Sequence, residues 1–573
     1  MTDLLSAPER AAVPTTDETY PAAPARPRVD PHPLPPRARD GAAAALAAWV
    51  RTHALSLPIV FALLGVTAVL VGTGITHYPG FADDEGTYVS EAWAVLAHGQ
   101  LSHYTYWYDH PPLGWIQLAV MTSLFGGLVK GATAVATARS LMVLPALATA
   151  ALLYVLGRRL GLRRRFAALA VLLLVCSPLG LISLREVYLE NFAVPWVLAA
   201  FVLVATPSRR LWAYAAGGAC FAVAVLSKET MLLFLPGLVL ALVYNVDRRT
   251  RSFCLTAFLS AFVLIVVGYP LYAVLKGELL PGSGHVSLEQ AVVWQLASRQ
   301  ASGSVFAAHS PARQLLDSWT GVDPWLLALG VLAVPVALFE RRLRPVAVAL
   351  AINLLAAIRG GYLPAPFVIG LLPFCALLPA ALLDSLWGHR LLPPRGRGWL
   401  RPLTAGGILA VLALLIVPAW RQGDSYAMSA NQTRPETAAE HWIEAHIAHK
   451  ARLLIDDTMY VDLVNAGFAP RYGVVWFYKL GFTNNLDPAI VRHLPMGWRE
   501  FDYVVSTPVI RSALAHDPGG YAQASDALAH SRTVVSFGRG ASQVQIRRIV
   551  GASTGSGQLP TPSGAGTASG SGA

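Results

Sequence analysis

Apolar runs recur along this chain at roughly 57 to 77, 134 to 157, 166 to 184, 192 to 206, 211 to 227, 231 to 246, 253 to 275, 324 to 340, 344 to 358, 363 to 387 and 403 to 420. No single water-soluble core can hide so many. Of 573 residues, 54% are hydrophobic and 13% charged, and the mean hydropathy of +0.49 lies outside the soluble range. Lipid offers backbone amides no partner, so each run is expected to be a helix, the shorter ones tilted or extended by flanking residues. The composition therefore predicts a polytopic α-helical membrane protein with about eleven transmembrane helices.

Arginine sets the orientation. Clusters at Arg158, Arg159 and Arg163 to Arg165, at Arg209 and Arg210, at Arg248, Arg249 and Arg251, at Arg341, Arg342 and Arg344, and at Arg395, Arg397 and Arg401 all fall on one side if the N-terminus is cytoplasmic. The positive-inside rule makes that side the cytoplasm, and the preference for Arg over Lys with abundant Ala points to a bacterial cell membrane. The parity holds only if the apolar segment 113 to 129 does not cross, so it is read as juxtamembrane or re-entrant. Loops at 78 to 133, 185 to 191 and 276 to 323 then face outward. The stretch 1 to 56 reads as a disordered cytoplasmic tail with no signal peptide, and 551 to 573, rich in Gly and Ser, as a disordered tail. Between 421 and 550 the runs ARLLIDD, YGVVWFYK, FDYVVST, TVVSF and QVQIRRI predict strands of an extracytoplasmic α/β domain.

Several chemistries are excluded. The four cysteines, Cys176, Cys220, Cys254 and Cys375, all lie in apolar runs and outline no disulfide framework. No zinc-type spacing, phosphate loop or dinucleotide fingerprint occurs, so any energy source must come with the substrate. The formal charge of +11 resides in arginines that flank apolar runs, where topology explains it and nucleic acid need not.

The outer loops carry the chemistry. Asp83, Asp84 and Glu85 follow the first apolar run in FADDEGTYVSEAWAVLAHG, where a helix N-terminus alone also accounts for three acids. The next outer loop, SLREVYLENF, brings Arg185 and Glu190 to a membrane edge, where ionisable groups are costly unless employed; an Arg185 pair with Glu186 or Glu190 is the structural alternative. Lys228 in SKET follows the apolar run 211 to 227, with snorkelling as its bland explanation.

The first-loop acids, WYDHPPLGW, the arginine-flanked hairpin, the R-x-x-Y-L-E-N stretch and SKET together resemble the GT-C membrane glycosyltransferases of the protein O-mannosyltransferase and aminoarabinose transferase superfamily, over roughly 57 to 235. The resemblance implies inverting transfer of a sugar from a polyprenyl-phosphate donor to a protein, lipid or cell-wall glycan on the outer face. Asp84 matches the family's catalytic base, Glu85 its acidic neighbour, and Glu190 stands where relatives carry a second acid. Because the leaving group is a phosphate, cations are needed and one base suffices. Lys228 and Arg185 are the candidate cations. His110 occupies a position where aminoarabinose-type relatives have lysine, and Tyr88 and Asp109 complete the candidate substrate-binding set. Arg359, in IRGGY, is an outward arginine suited to a phosphate contact. Tyr104, Tyr106, Trp107 and Tyr108 suit sugar stacking or a headgroup belt equally. No cofactor is certain, and acids that serve as bases also serve divalent cations, which leaves the metal question open. The long loop with His285, Gln290, Trp294, Gln295, Arg299, His309 and Arg313 is long enough to cover a site, although SLEQAVVWQLASRQ also suits a surface helix. Asp456, Asp457 and Lys479 are expected to be structural. A lipid-linked sugar flippase and a non-catalytic receptor are the rival classes, the former disfavoured by the lack of paired interrupted repeats.

Overall fold

The computed structural model describes residues 54–101, 108–207, 210–282, 285–388, 400–480 and 488–550. Residues 1–53 of the expected N-terminal tail, the expected C-terminal tail, Tyr104 to Trp107, Arg209, Arg395 and Arg397 lie outside the described residues. From Ser56 onward the chain forms one compact unit.

Every one of the eleven apolar runs is helical, but their lengths differ. Ala134–Arg159, Arg251–Lys276, Phe367–Trp387 and Leu403–His446 are long and apolar enough to cross a bilayer alone. A fifth candidate, Pro311–Val322 with Pro324–Phe339, is bent by 108°. The bend has a cause: Asp323 caps the second helix through Trp325 N at 2.9 Å, accepts from Trp420 Nε1 at 3.0 Å and from Ser177 Oγ, and so turns the chain around a buried carboxylate. Helices such as Leu57–Gly72 (α1), Leu189–Val204, Leu211–Ser227 and Arg344–Ile358 are shorter. The expected eleven crossings thus rest on short helices that need their neighbours. The segment Leu113–Phe125 (α3) has 13 residues, about 20 Å, against a hydrocarbon thickness of ~30 Å. It lodges among other helices instead, through Trp196 Nε1 to Gln117 Oε1 at 2.7 Å and Gln117 Nε2 to Ser227 Oγ at 2.8 Å.

Burial sorts the bundle into centre and rim. Phe367–Trp387 is 89% buried over its apolar window, whereas the windows in Arg251–Lys276 and Leu403–His446 are 17% buried. Side chains such as Leu264, Leu275, Leu332 and Phe339 stand exposed on rim helices, as lipid-facing surface requires.

The two ends of the bundle differ. At one, Arg163 N and Arg342 Nη2 reach the buried Asp384 carboxylate at 3.2 and 3.5 Å, Arg342 also meets Glu340 and Leu160 O, and Arg165 lies 3.9 Å over Trp387. Arginines far apart in sequence therefore gather at one end. Ala134–Arg159, 26 residues or about 39 Å, runs from Arg158 and Arg159 there to the opposite end, where Ala134 N donates to both oxygens of Asp462 at 3.0 and 2.9 Å.

Asp462 belongs to the sheet domain. Its five strands, β1 Leu453–Ile455, β2 Val474–Trp476, β3 Tyr503–Ser506, β4 Ser531–Phe537 and β5 Val544–Ile549, match the five expected runs. The order is β2-β1-β3-β5-β4, with the first three parallel and β5 antiparallel to β3 and β4. The expected boundary at 421 shifts: Leu400–Ser429 is one helix, since the polar residues after Trp420 continue its backbone pattern.

This domain does not stand apart from the first outer loop. Asp83–His98 (α2) lies against the turn that follows β1, so closely that a Cβ on Gly86 would meet Asp457 C and Thr458 N at 2.3 Å. Only glycine permits that contact. Gly86→Ala is expected to cost about 1–3 kcal/mol through backbone overpacking, read as a lower thermal midpoint and faster proteolysis of the sheet domain.

Candidate active site

The N-terminus of α2 is built by a buried ion pair. Glu85, at the third helical position, accepts from Ala82 N at 3.0 Å and so closes the first turn. The same carboxylate accepts from Val187 N at 2.8 Å and from Arg139 Nε at 2.7 Å, with a second bond from Arg139 Nη2. Arg139 and Glu85 are both fully buried, and Arg139 also donates to Pro79 O at 2.5 Å and Gly80 O at 2.9 Å. Glu85, expected beside Asp84 as a catalytic acid, is spent on holding the loop. Arg185, expected as a phosphate cation, is likewise occupied: it donates to Ala427 O at 2.7 Å, Leu70 O at 2.7 Å and Thr73 O at 2.6 Å, and pairs with neither Glu186 nor Glu190. A guanidinium carrying three carbonyls suits a brace between α1 and the helix Leu400–Ser429.

Asp84 is different. It is exposed at the second helical position, and its carboxylate has no hydrogen bond or ion pair among the described residues. Its charge acts on Tyr88, Tyr188, Lys228 and Tyr362. Across from it, three further elements supply a buried polar row. His110 Nε2 lies 2.9 Å from Lys228 Nζ, and His110 Nδ1 lies 3.1 Å from Glu229 Oε2. An ammonium only donates, so Nε2 accepts and the ring proton sits on Nδ1, facing Glu229. Lys228 Nζ is also 3.7 Å from Glu190 Oε1. Lys228 is 2% exposed and Glu190 fully buried, yet neither Glu190 oxygen has a hydrogen-bond partner. A buried cation beside two unsatisfied acceptor oxygens is a costly arrangement that a polar ligand would relieve.

Tyr88 is buried with its ring 6.3 Å from that of His110, and Asp109 Oδ1 is buried without a hydrogen-bond partner. The motif is held from two neighbouring segments: Gln295 Nε2 of the outer loop donates to Asp109 O at 3.1 Å, Tyr269 OH of the Arg251–Lys276 helix donates to His110 O at 3.3 Å, and Tyr108 OH donates to Glu278 Oε2 of the loop at 2.6 Å. Cover and helix prove compatible, because SLEQAVVWQLASRQ forms a helix at Leu288–Val293 and a π turn at Trp294–Ser298 while holding the motif down. Arg359 is exposed at the end of Arg344–Ile358 and makes no ion pair among the described residues. Its loop reaches the site through Tyr362 instead.

Sequence reasoning passed over Arg139, Glu229 and Tyr362. Arg139 carried a signal, since an arginine at the non-arginine end of an apolar run breaks the positive-inside pattern much as Arg359 does. Glu229 and Tyr362 sit inside motifs already singled out, SKET and IRGGY.

The sheet domain brings acids of its own. Asp457 bonds with Thr87 of α2 and lies against Asp83. Burial lifts Asp83 to about 7; its hydrogen bond with Asp457 works against this, and the charges of Asp84 and Asp456 add to it. Burial, then the Asp83 charge, drives Asp457 upward too. Glu91, two turns further along α2, is raised by burial and by Asp109, with Lys479 opposing. Among the described residues, no group of three or more His, Cys, Asp or Glu side chains is arranged to hold a metal ion.

Residues 109–272 match the sequence model of the family described as dolichyl-phosphate-mannose-protein mannosyltransferase, an interval that contains His110, Glu190 and Lys228. No curated protein matches the chain by sequence. Among solved structures, ArnT from Cupriavidus metallidurans bound to undecaprenyl phosphate aligns with a TM-score of 0.55 at 16% identity, covering 88% of this chain and 100% of that one. The Archaeoglobus fulgidus oligosaccharyltransferase in complex with Zn and sulfate aligns with a TM-score of 0.52 at 13% identity, covering 82% of this chain and 71% of that one. The chain shares its fold with these two solved structures, and its sequence match to the mannosyltransferase family is confined to residues 109–272.

Two outcomes follow from this geometry. Glu85→Ala leaves Arg139 buried and unpaired, so it is expected to cost about 3–5 kcal/mol and to fail thermal-shift and size-exclusion tests that Asp84→Asn passes. Asp83, raised from 3.8 to about 7 by folding, favours the native state fully below about 4 and loses that contribution as pH rises through 7. The thermal midpoint should therefore fall over that window, and Asp83→Asn should flatten the profile.

Proposed function

We propose that the protein transfers a sugar from a polyprenyl-phosphate donor to an acceptor hydroxyl on the extracytoplasmic face, with inversion and with Asp84 as general base. The observation that carries this reading is an exposed carboxylate, without a hydrogen bond or ion pair among the described residues, whose charge reaches a buried ammonium: Asp84 and Lys228. The names of the similar proteins supply the donor class, since both dolichyl phosphate and undecaprenyl phosphate are polyprenyl phosphates.

The chemistry divides between the two groups. Asp84 takes the proton from the acceptor oxygen as that oxygen bonds to the anomeric carbon, opposite the departing phosphate. The sugar–phosphate bond breaks with its electron pair on the lipid phosphate. Lys228 offsets that charge, and the His110–Glu229 pair keeps its ammonium aimed. Glu190, with both oxygens unsatisfied, accepts from donor sugar hydroxyls. Arg185 and Glu85 serve as braces. The arginine end faces the cytoplasm in this reading, and the end holding the sheet domain and Asp84 faces outward; labelling of a cysteine at position 163 by an impermeant reagent on intact cells would contradict it.

Asp84→Asn keeps size and removes the proton acceptor, so transfer in cells lacking the native gene should fall about 100-fold or more, scored by mass spectrometry of envelope glycans. Binding of undecaprenyl phosphate to the purified variant should survive. Lys228→Ala should weaken that binding as well as transfer, because its target charge exists before reaction. Wild-type transfer by a folded Asp84→Asn protein would overturn the base assignment.

A further inference from the structure

A cavity of about 480 Å3 opens between the outer loop and the sheet domain, bounded on one side by Trp294, Arg299 and Tyr362 and on the other by His516, Asp517 and Tyr521. It contains none of the Glu190, Lys228, His110 and Glu229 group. Its size falls within the ~300–1,000 Å3 of sites that enclose a small organic ligand.

The lining decides what kind of ligand. The Arg299 guanidinium lies 3.4 Å over the Tyr362 ring and 4.8 Å from the Trp294 ring, and Nη1 donates to Gln295 Oε1 at 2.8 Å. Stacking fixes its plane while, among the described residues, most of its N–H groups have no acceptor. Asp517 Oδ1 accepts from Gly520 N at 2.8 Å, a turn that presents Tyr521 to the same space. A lipid tail would strip water from Arg299 and Asp517 without replacing it. A sugar does not: its C–H faces lie on aromatic rings, and its hydroxyls bond to planar carboxylate, guanidinium and imidazole edges.

Position links the cavity to the chemistry. Tyr362 is a wall of the cavity and feels the charges of Asp84, Lys228 and Glu190 as well as that of Arg299. Tyr521, on the opposite wall, feels Asp83 and Tyr362.

We propose that this cavity is the acceptor subsite and that the acceptor is a carbohydrate chain, seated between the outer loop and the sheet domain with its terminal hydroxyl passing Tyr362 to Asp84. The inference rests on the transfer reading above and adds the acceptor's class. A donor sugar shares the same recognition chemistry, so the test must separate the two.

The probe is the pool of neutral oligosaccharides released by mild acid from the envelope of cells lacking the gene, where unmodified acceptor accumulates. Full-length protein in lipid nanodiscs is examined by saturation-transfer NMR against this pool, and separately for undecaprenyl phosphate binding. Wild-type protein and Asp84→Asn should both show saccharide signal. Ser512→Trp, a bulky side chain introduced at an exposed position of the cavity wall, and Trp294→Ala should each lose it at least 10-fold while binding undecaprenyl phosphate as wild type does. In cells, both should lower the transferred sugar at least 10-fold. Absence of signal with wild-type protein, or full signal with Ser512→Trp, overturns the acceptor subsite, as does a parallel loss of undecaprenyl phosphate binding, which would assign the cavity to the donor. None of these outcomes touches the base assignment, which stands or falls with transfer by Asp84→Asn.

Discussion

The bond on which the site depends is the buried pair between Glu85 and Arg139. Four hydrogen bonds converge on one carboxylate, from the chain before α2, from the Arg139 helix and from the loop ahead of Glu190. A buried pair is weak evidence for net stability, because desolvation offsets much of its attraction. Its value here is geometric. It fixes the first turn of α2, so that the next residue upstream stands exposed, without a hydrogen bond or ion pair among the described residues. Asp84 is available because Glu85 is not.

The sheet domain extends the same logic. Its turn after β1 presses on α2 at Gly86, and Asp457 meets Thr87 and Asp83 one turn from the exposed carboxylate. A domain read from sequence as a separate outer module is thus part of the scaffold beneath α2. Burial pushes the pKa values of Asp83 and Asp457 upward, a shift that favours their uncharged forms and so weakens the like-charge repulsion between domain and helix. Asp457 was expected to be structural, and its contacts fit that expectation while bringing it much nearer to Asp84 than strand-edge reasoning implied.

Local pattern made much of this legible. Apolar runs gave the helices, five β-branched runs gave the five strands, and short motifs gave Asp84, Glu190, His110 and Lys228, because each of these properties is written within a few consecutive residues. What stayed hidden depends on pairing across the fold. Nothing near Glu85 in sequence says that Arg139, 54 positions on, takes its carboxylate. Nothing near Arg185 says that three carbonyls from α1, its following turn and the Leu400–Ser429 helix accept from its two Nη groups. Adjacent acids look alike in one dimension, and only packing separates the exposed Asp84 from the buried, bonded Glu85. The number of crossings was hidden for a related reason, since a short helix such as Leu189–Val204 spans lipid only in company.

Phe367–Trp387 carries a consequence for how the molecule comes together. The helix is apolar enough to enter a bilayer alone, with a mean hydropathy of 2.1, yet 89% of that window ends up shielded from lipid by other helices. It must therefore trade lipid neighbours for protein neighbours after insertion, with no hydrophobic gain from the exchange. Its sheath includes helices made long before it, such as Arg164–Val175, and one made after it, Leu400–Ser429. Enclosure cannot be complete until the late helix has emerged, so a chain halted before residue 400 would leave its own centre wet with lipid and its outer loops without their floor.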